Sequence, residues 1–172
     1  MSWERELEEL RQRQVLAQQM GGEDKVARQR AAGRLTVRER IQALLDAGTF
    51  HELGSIAGVA THDEAGALAG LTPTNFVFGR GCIESRRVIV AGDDFTVRGG
   101  ASDASIVEKQ VAAEQMANEL RMPIVRLIEG SGGGGSVKSL EALGYTYVPY
   151  LPGWEHIDRK STRLNSSHPY RS

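Results

Sequence analysis

The chain has 172 residues, of which 21 are basic and 22 acidic, so its formal charge is −1 and its length suits one domain. This balance excludes the strongly basic nucleic-acid and membrane-surface binders, and the sequence contains no apolar run of membrane-spanning length. The single cysteine, Cys82, excludes an internal disulfide and a paired-cysteine metal site. The charged N-terminus is unlike a secretory signal peptide, so we expect a cytoplasmic protein. The main anomaly of composition is its 20 glycines.

Residues 1–48 are predicted to form an N-terminal segment of charged helices. The first helix extends from Trp3 to about Met20, where Gly21-Gly22 stops it, and a second covers residues 23–32. A capping box formed by Thr36 and Glu39 opens the third, which continues to Gly48. The first helix is expected to turn one stripe inward: Leu7, Leu10, Gln14 and Ala17.

Residues 49–157 change from helical to β-type patterning. Short β-type runs contain Phe50, Leu53, Ile56 and Val59. Residues 61–74 are rich in Gly, Ala and Pro and are predicted to be a loop. Residues 75–83 and 87–91 predict a hairpin joined by Glu84-Ser85-Arg86.

Strand and helix then alternate. Gly99-Gly100 end a strand, and Ser102 or Asp103 is expected to cap a helix that continues to about Leu120. A short buried strand at residues 124–128 precedes the glycine-rich run and a new helical start at residues 137–140. The inward stripe of the long helix is predicted as Ile106, Val111 or Gln110, Ala113, Met116 and Leu120. This order predicts a layered α/β domain with its ligand at the strand ends, where the glycine loops emerge.

Five of the six residues from Gly130 to Gly135 are glycine. Between a strand and a helix, such a run exposes backbone N–H groups that can bind an anion. A P-loop does not fit, because Lys138 comes two residues too late, and the turn at residues 97–101 lacks a dinucleotide fingerprint. A merely flexible or tight connection remains the alternative reading of these glycines.

Other candidate groups carry less weight. Ser131 and Ser136 lack the nucleophile-elbow pattern, and Asp93 and Asp94, adjacent on a strand, should point to opposite faces. Cys82 is predicted to be a small core residue. We expect no metal site, because three histidines lack partners at metal-ligand spacing: His51, His62 and His156.

Residues 158–172 differ in character from the rest. The run from Asp158 to His168 resembles the in-frame translation of a short-read sequencing adapter. Leu164 and Tyr170 are the only large apolar residues from Ser161 onward, so we expect this tail to be disordered. We expect the genuine sequence to end near residue 157, and a solvated basic tail is the alternative.

Three separated segments resemble the carboxyltransferase subunits of biotin-dependent acyl-CoA carboxylases, of the propionyl-CoA carboxylase beta type. These segments are residues 25–50, 92–100 and 123–135, and the resemblance continues to about Trp154. It implies a crotonase-like (ClpP/crotonase) α/β fold, here an incomplete carboxyltransferase N-terminal domain preceded by the N-terminal helices. The subunits of this family have two related domains, and the second, which holds carboxybiotin, is absent from this sequence.

The resemblance also implies an activity and partners. A carboxyl group would pass from carboxybiotin to the α-carbon of a short-chain acyl-CoA of the acetyl-CoA or propionyl-CoA type. The biotin would be carried by a biotin carboxylase or biotin carrier subunit, and full-length subunits would form a homo-oligomer. No metal, nucleic acid or membrane is implied, and the fragment is expected to be inactive alone.

Site residues follow from the same resemblance. The backbone amides of Gly134 and Gly135 would hold the enolate oxygen, with Gly133 and Ser136 beside the substrate. At the entrance for CoA the family pattern places Gly99, Gly100 and Ala101, with Arg98 as a phosphate contact. The segment Val137-Lys138-Ser139 departs from the family pattern, so acyl-chain preference stays open. Two rival functions also stay open: a biotin-dependent decarboxylase or transcarboxylase subunit, and a non-catalytic CoA-binding scaffold.

Overall fold

The computed structural model describes residues 3–101, 106–129, 140, 141 and 144. Its helices are α1 (Glu4–Gln18), α2 (Glu23–Ala31), α3 (Val37–Leu44) and α4 (Val107–Glu119). Its strands are β1 (His51–Leu53), β2 (Gly58–His62), β3 (Leu68–Pro73), β4 (Phe76–Ile83), β5 (Arg86–Asp93) and β6 (Ile124–Leu127). No helix of the described part has the length and apolar character needed to cross a membrane.

The three predicted N-terminal helices are present. The capping box opens α3 as expected, with the Glu39 backbone N–H donating to Thr36 Oγ1 and the Glu39 carboxylate accepting from the Thr36 N–H. Helix α3 ends at Leu44 rather than at Gly48, because Leu45 turns to an extended conformation. The predicted inward stripe of α1 is wrong except at Ala17, since Leu7 and Leu10 are exposed.

The central sheet has the strand order β1-β4-β5-β6. The predicted hairpin is β4 and β5, and its turn consists of Glu84 and Ser85, which both have positive φ. A two-residue turn therefore joins the strands where three residues were expected, because a turn with positive φ at both positions matches the twist of the two strands. Strand β6 pairs with β5 in parallel, so the β5-α4-β6 unit confirms the predicted alternation.

Helices cover both faces of this sheet. One face packs Val77, Val88 and Val90 against Val37, Ile41 and Leu45 of α3 and its C-terminal end. The other packs Phe76, Phe78, Ile89 and Ala91 against Ala113 and Ala117 of α4. The alternation along β4 and β5 thus builds two apolar layers, and the predicted layered α/β architecture is confirmed.

The stripe predicted for α4 is only partly right. Val111 and Ala113 are buried, whereas Leu120 is exposed. Lys109 and Glu114 are buried instead, since each has an oppositely charged neighbour within the fold. Ile106 is the N-cap residue of α4, and Ser102 and Asp103 lie outside the described residues.

The predicted loop at residues 61–74 is wrong. Strands β2 and β3 pair there as an antiparallel two-stranded sheet, and β3 packs against α1. The Asp63 carboxylate accepts hydrogen bonds from the backbone N–H groups of Ala65 and Ala67 and shapes the connecting turn. Strand β6, predicted to be buried, is only half-buried.

Candidate functional site

The parallel strands β5 and β6 end at the same edge of the sheet, which we call the carboxyl edge. The chain continues from β5 into residues 94–101 and from β6 toward Gly130. The Glu129 backbone N–H donates to Asp93 Oδ2 at 3.1 Å. This bond ties Glu129, two residues beyond β6, to the end of β5.

The turn at residues 98–101, the 98–101 turn, leaves β5 with an unusual backbone. Arg98, Gly99 and Gly100 all have positive φ, and a Cβ added to Gly99 would meet no atom within 4 Å. The Gly100 and Ala101 N–H groups donate to the carbonyls of Val97 and Arg98. The turn therefore presents open backbone surface, while these two amides are already engaged within it.

Buried polar groups support the 98–101 turn and the residues that lead into it. Asn75 Nδ2 donates to the Ala101 carbonyl at 2.8 Å, and the buried Asp94 carboxylate accepts from the Thr96 N–H at 2.9 Å and its hydroxyl at 2.6 Å. Burial raises the pKa of Asp94, and the two Thr96 hydrogen bonds oppose that rise. The Gly21 N–H donates to Thr96 Oγ1 at 2.9 Å, which connects the α1–α2 junction to this edge.

Two cationic side chains also reach the carboxyl edge, Arg34 from the connection between α2 and α3 and Arg40 from α3. The Glu129 carboxylate lies 3.6 Å from Arg34 Nη1 and 3.4 Å from Arg40 Nη1. The Arg34 guanidinium lies 5.5 Å from the centroid of the Phe95 ring. One arginine therefore contacts both segments that leave the sheet here.

A second polar cluster lies beneath the same edge. Arg38 and Glu52 form a bidentate ion pair of 2.7 and 3.1 Å, and Lys109 lies near it with 6% of its surface exposed. Burial lowers the pKa of Lys109 to about 8, with Glu52 opposing the shift and Arg38 adding to it. Arg38, Glu52, Lys109 and Asp94 line a small cavity. Several charged groups therefore lie close together with little access to solvent.

A large cleft lies at the opposite edge of the described part, near the start of β5 and β6. It has a volume of about 660 Å³, and its lining includes His51, Arg80, Cys82 and Arg87. Cys82 is partly exposed there, so its prediction as a core residue is wrong. This cleft is thus the spatial rival of the carboxyl edge as a ligand site.

The predicted site residues divide into two groups. Arg98, Gly99, Gly100 and Ala101 lie together in the 98–101 turn, with Arg98 exposed and Ala101 buried. Four others lie outside the described residues: Gly133, Gly134, Gly135 and Ser136. His156 lies outside them as well, and within the described ranges no group of His, Cys, Asp or Glu side chains could hold a metal ion.

Sequence reasoning missed Arg34, Arg40, Glu129 and Lys109. Arg34 and Glu129 are far apart in the chain, and no local pattern announces their contact. Lys109 lies on α4, and the sequence around it does not distinguish a buried lysine from the exposed lysine that is usual on a helix.

Comparison with known proteins decides the family. Residues 28–147, well over half of the chain, match the carboxyl transferase domain. The chain belongs to this family. Its predicted resemblance to the carboxyltransferase subunits is thereby confirmed.

Two relatives and one solved structure illustrate the range of this carboxyltransferase family. The propionyl-CoA carboxylase carboxyltransferase subunit of Haloferax mediterranei is 31% identical over 98% of this chain and 31% of its own length. The methylmalonyl-CoA decarboxylase subunit alpha of Propionigenium modestum is 33% identical over 76% of this chain and 25% of its own length. The transcarboxylase 12S structure with methylmalonyl-CoA bound aligns with a TM-score of 0.64 and 29% identity, covering 84% of this chain and 29% of that one.

The crotonase-like fold predicted from sequence is confirmed by this structural likeness. The chain spans about three tenths or less of the length of these relatives.

Proposed function

We propose that the protein carrying this sequence transfers a carboxyl group from carboxybiotin to the α-carbon of a short-chain acyl-CoA of the acetyl-CoA or propionyl-CoA type. The observation that carries the proposal is the carboxyl edge, where the 98–101 turn follows β5 and where Glu129, the residue before the glycine-rich run, donates its backbone N–H to Asp93 at the end of β5. Ligands of open α/β sheets bind at such edges. The match of residues 28–147 to the carboxyl transferase domain supports the reaction class.

The proposed chemistry depends on backbone donors. Removal of the α-proton of a thioester places negative charge on its carbonyl oxygen, which becomes an enolate oxygen. Loss of one preorganised N–H donor to such an oxygen costs about 10²–10³-fold in rate. We assign these donors to the amides of Gly134 and Gly135, with Gly133 and Ser136 lining the substrate.

The 98–101 turn would receive the CoA chain. The open space at Gly99 leaves room for a ligand against bare backbone, and the exposed Arg98 brings positive charge toward the CoA phosphates. Gly100 and Ala101 would contact the chain through their surfaces, because their amides already donate within the turn.

The described residues fit the acyl-CoA half of the reaction. Carboxybiotin supplies the carboxyl group and would be presented by a biotin carboxylase or biotin carrier subunit, on a second domain beyond this sequence. We assign no residue of this chain to it. A homo-oligomer of full-length subunits in the cytoplasm completes the proposal.

The reverse direction is a second candidate. The relative from Propionigenium modestum is named a methylmalonyl-CoA decarboxylase subunit, and the matched solved structure is a transcarboxylase. Either reaction would use the same enolate donors, because both pass through the same acyl-CoA carbanion. Incubation of the full-length protein with methylmalonyl-CoA and free biotin, and separately with carboxybiotin and propionyl-CoA, measures which direction it supports.

The test of the proposed donors is Gly134→Ala in the full-length protein. We expect carboxyl transfer to propionyl-CoA to slow by at least about tenfold with the melting temperature nearly unchanged, because a methyl group would occupy the thioester position. Gly70→Ala on β3, away from the carboxyl edge, is the matched control and should transfer at the wild-type rate. A Gly134→Ala protein that melts and transfers like wild type would contradict this placement of the acyl site.

A further inference from the structure

Arg34 and Arg40 form a cationic pair beside Glu129. Both guanidinium groups approach Glu129, so two cations share one carboxylate. Their distances of 3.6 and 3.4 Å exceed the about 2.7–2.9 Å of a strong charge-assisted hydrogen bond. Each arginine contacts Glu129 through Nη1, and a guanidinium has five N–H donors, so further donors of both side chains can meet another acceptor.

Exposure allows a ligand to reach these donors. The side chain of Arg34 is 54% exposed and that of Arg40 is 28% exposed, whereas that of Glu129 is 16% exposed. The carboxylate thus lies deeper than the two cations that it orients. The surface presented to solvent is the cationic part of the cluster.

The N-terminus of α3 does not supply an alternative anion site nearby. Its capping box already engages the Thr36 and Glu39 backbone N–H groups. We therefore consider the arginine side chains, since arginine binds phosphate oxygens in a bidentate way.

The location of Arg34, Arg40 and Glu129 indicates which kind of anion the two arginines would bind. Arg34 contacts Phe95, four residues before Gly99, and Glu129, the residue before Gly130. An anion held by Arg34 and Arg40 would lie beside the entrances to both glycine-bearing segments. A CoA thioester that reaches those segments carries its phosphates at the other end of a long, flexible chain.

We propose that Arg34 and Arg40 form a phosphate subsite for the nucleotide end of the acyl-CoA, with Glu129 orienting them. This inference rests on the proposed function and extends it to residues outside both glycine-bearing segments. The subsite recognises phosphate groups, so it binds adenosine 3′,5′-bisphosphate and CoA but not pantetheine.

Calorimetric titration of the full-length protein with adenosine 3′,5′-bisphosphate, CoA and pantetheine tests the subsite. Arg34→Gln/Arg40→Gln should weaken binding of the bisphosphate and of CoA by about tenfold or more, since each lost charged hydrogen bond is worth roughly that factor. Binding of pantetheine should not change. The matched control is Arg11→Gln/Arg86→Gln, which removes the same charge from exposed positions elsewhere and should change affinity by less than about twofold.

Glu129→Gln separates ligand binding from structural support. It removes the competing negative charge but keeps a side-chain oxygen that can accept from the arginines and the backbone N–H that bonds Asp93. The arginines therefore stay oriented, and bisphosphate should bind more tightly than to wild type. A residue that only stabilised the fold would give weaker binding or none.

The outcomes distinguish failure of the phosphate subsite from failure of the proposed acyl-CoA function. If both double variants weaken CoA binding equally, the subsite is wrong and the proposed function stands. If wild type binds CoA but not the bisphosphate, the phosphates are recognised elsewhere. If wild type binds none of the three ligands, the proposed acyl-CoA function and the subsite fall together.

Discussion

Gly21 shows how one missing side chain sets the position of the helical segment. Its N–H donates to Thr96 Oγ1, and a Cβ at this position would collide with the Thr96 carbonyl oxygen. We predict that Gly21→Ala lowers the free energy of unfolding by about 1–3 kcal/mol, because backbone must separate from backbone. Urea unfolding measures this loss, and a variant as stable as wild type would show that the α1–α2 junction does not press on residues 94–97.

Asp94 makes a prediction about pH. Burial raises its pKa, so between its ordinary value and the raised one the folded chain binds more protons than the unfolded chain. The stability of wild type relative to Asp94→Asn should therefore fall as the pH rises from the ordinary pKa of an aspartate to the raised pKa of Asp94. Asparagine can still accept the Thr96 hydrogen bonds through its amide oxygen, so the difference isolates the charge.

Chemical unfolding of both proteins across this range measures the Asp94 effect. The stability difference between wild type and Gly70→Ala, which lies on β3 away from Asp94 and involves no ionisable group, should stay constant over the same range. A difference between wild type and Asp94→Asn that rises with pH would mean that the carboxylate is better stabilised in the fold than in water.

At the scale of the element, helix α4 buries the ammonium group of Lys109 beside the Arg38–Glu52 pair. Lys109 has a pKa of about 8 against an ordinary 10.5, so the folded chain releases its proton first. The buried ammonium therefore destabilises the fold fully below pH 8, and this destabilisation disappears as the pH rises toward 10.5. We predict that the stability of wild type relative to Lys109→Met improves by about 2–3 kcal/mol from pH 7 to 10.

Gln110→Met on the same helix is the control for Lys109. It changes a neighbouring side chain without an ionisable group, so its stability difference from wild type should not vary with pH. If the Lys109→Met difference is equally flat, the ammonium is better solvated or paired than its position beside the Arg38–Glu52 pair indicates.

Elements with local signals were predictable, and elements that depend on distant partners were not. The capping box at Thr36 and the apolar alternation of β4 and β5 are written in adjacent residues, and both formed as expected. Strand β3 is built from Leu, Ala, Gly, Thr and Pro, and only its pairing with β2 makes it a strand.

The candidate site was predictable to a similar degree. The turn at Gly99-Gly100 follows from its glycines and from the family resemblance. The approach of Arg34 to Glu129 depends on how α2 and α3 pack over the sheet, which no nearby residue encodes. The placements of Gly134 and Gly135 lie outside the described residues and stay predictions.

At the scale of the whole molecule, the two edges of the sheet differ in the groups that they bring together. The carboxyl edge gathers the 98–101 turn, the entry to the glycine-rich run and the Arg34–Arg40 pair. The opposite edge has the larger cleft, of about 660 Å³, next to Arg80 and Arg87. Volume alone would favour the cleft, whereas strand direction and backbone openness favour the carboxyl edge.

The boundaries at residues 48 and 157 and the inactivity expected of this chain alone stay predictions. The chain spans 31% of the Haloferax mediterranei subunit and 25% of the Propionigenium modestum subunit. Carboxyl transfer is therefore expected of the longer protein, and acyl-CoA binding is the part of it that this chain can be tested for.

Amide hydrogen exchange of the chain with and without propionyl-CoA tests the central claim most directly. The account predicts slower exchange at the amides of residues 94–101 and 128–135 when the ligand is present, with unchanged exchange at residues 48–51 and 80–87 around the opposite cleft. Protection confined to the residues around the cleft, or no protection at the carboxyl edge at saturating propionyl-CoA, would contradict it.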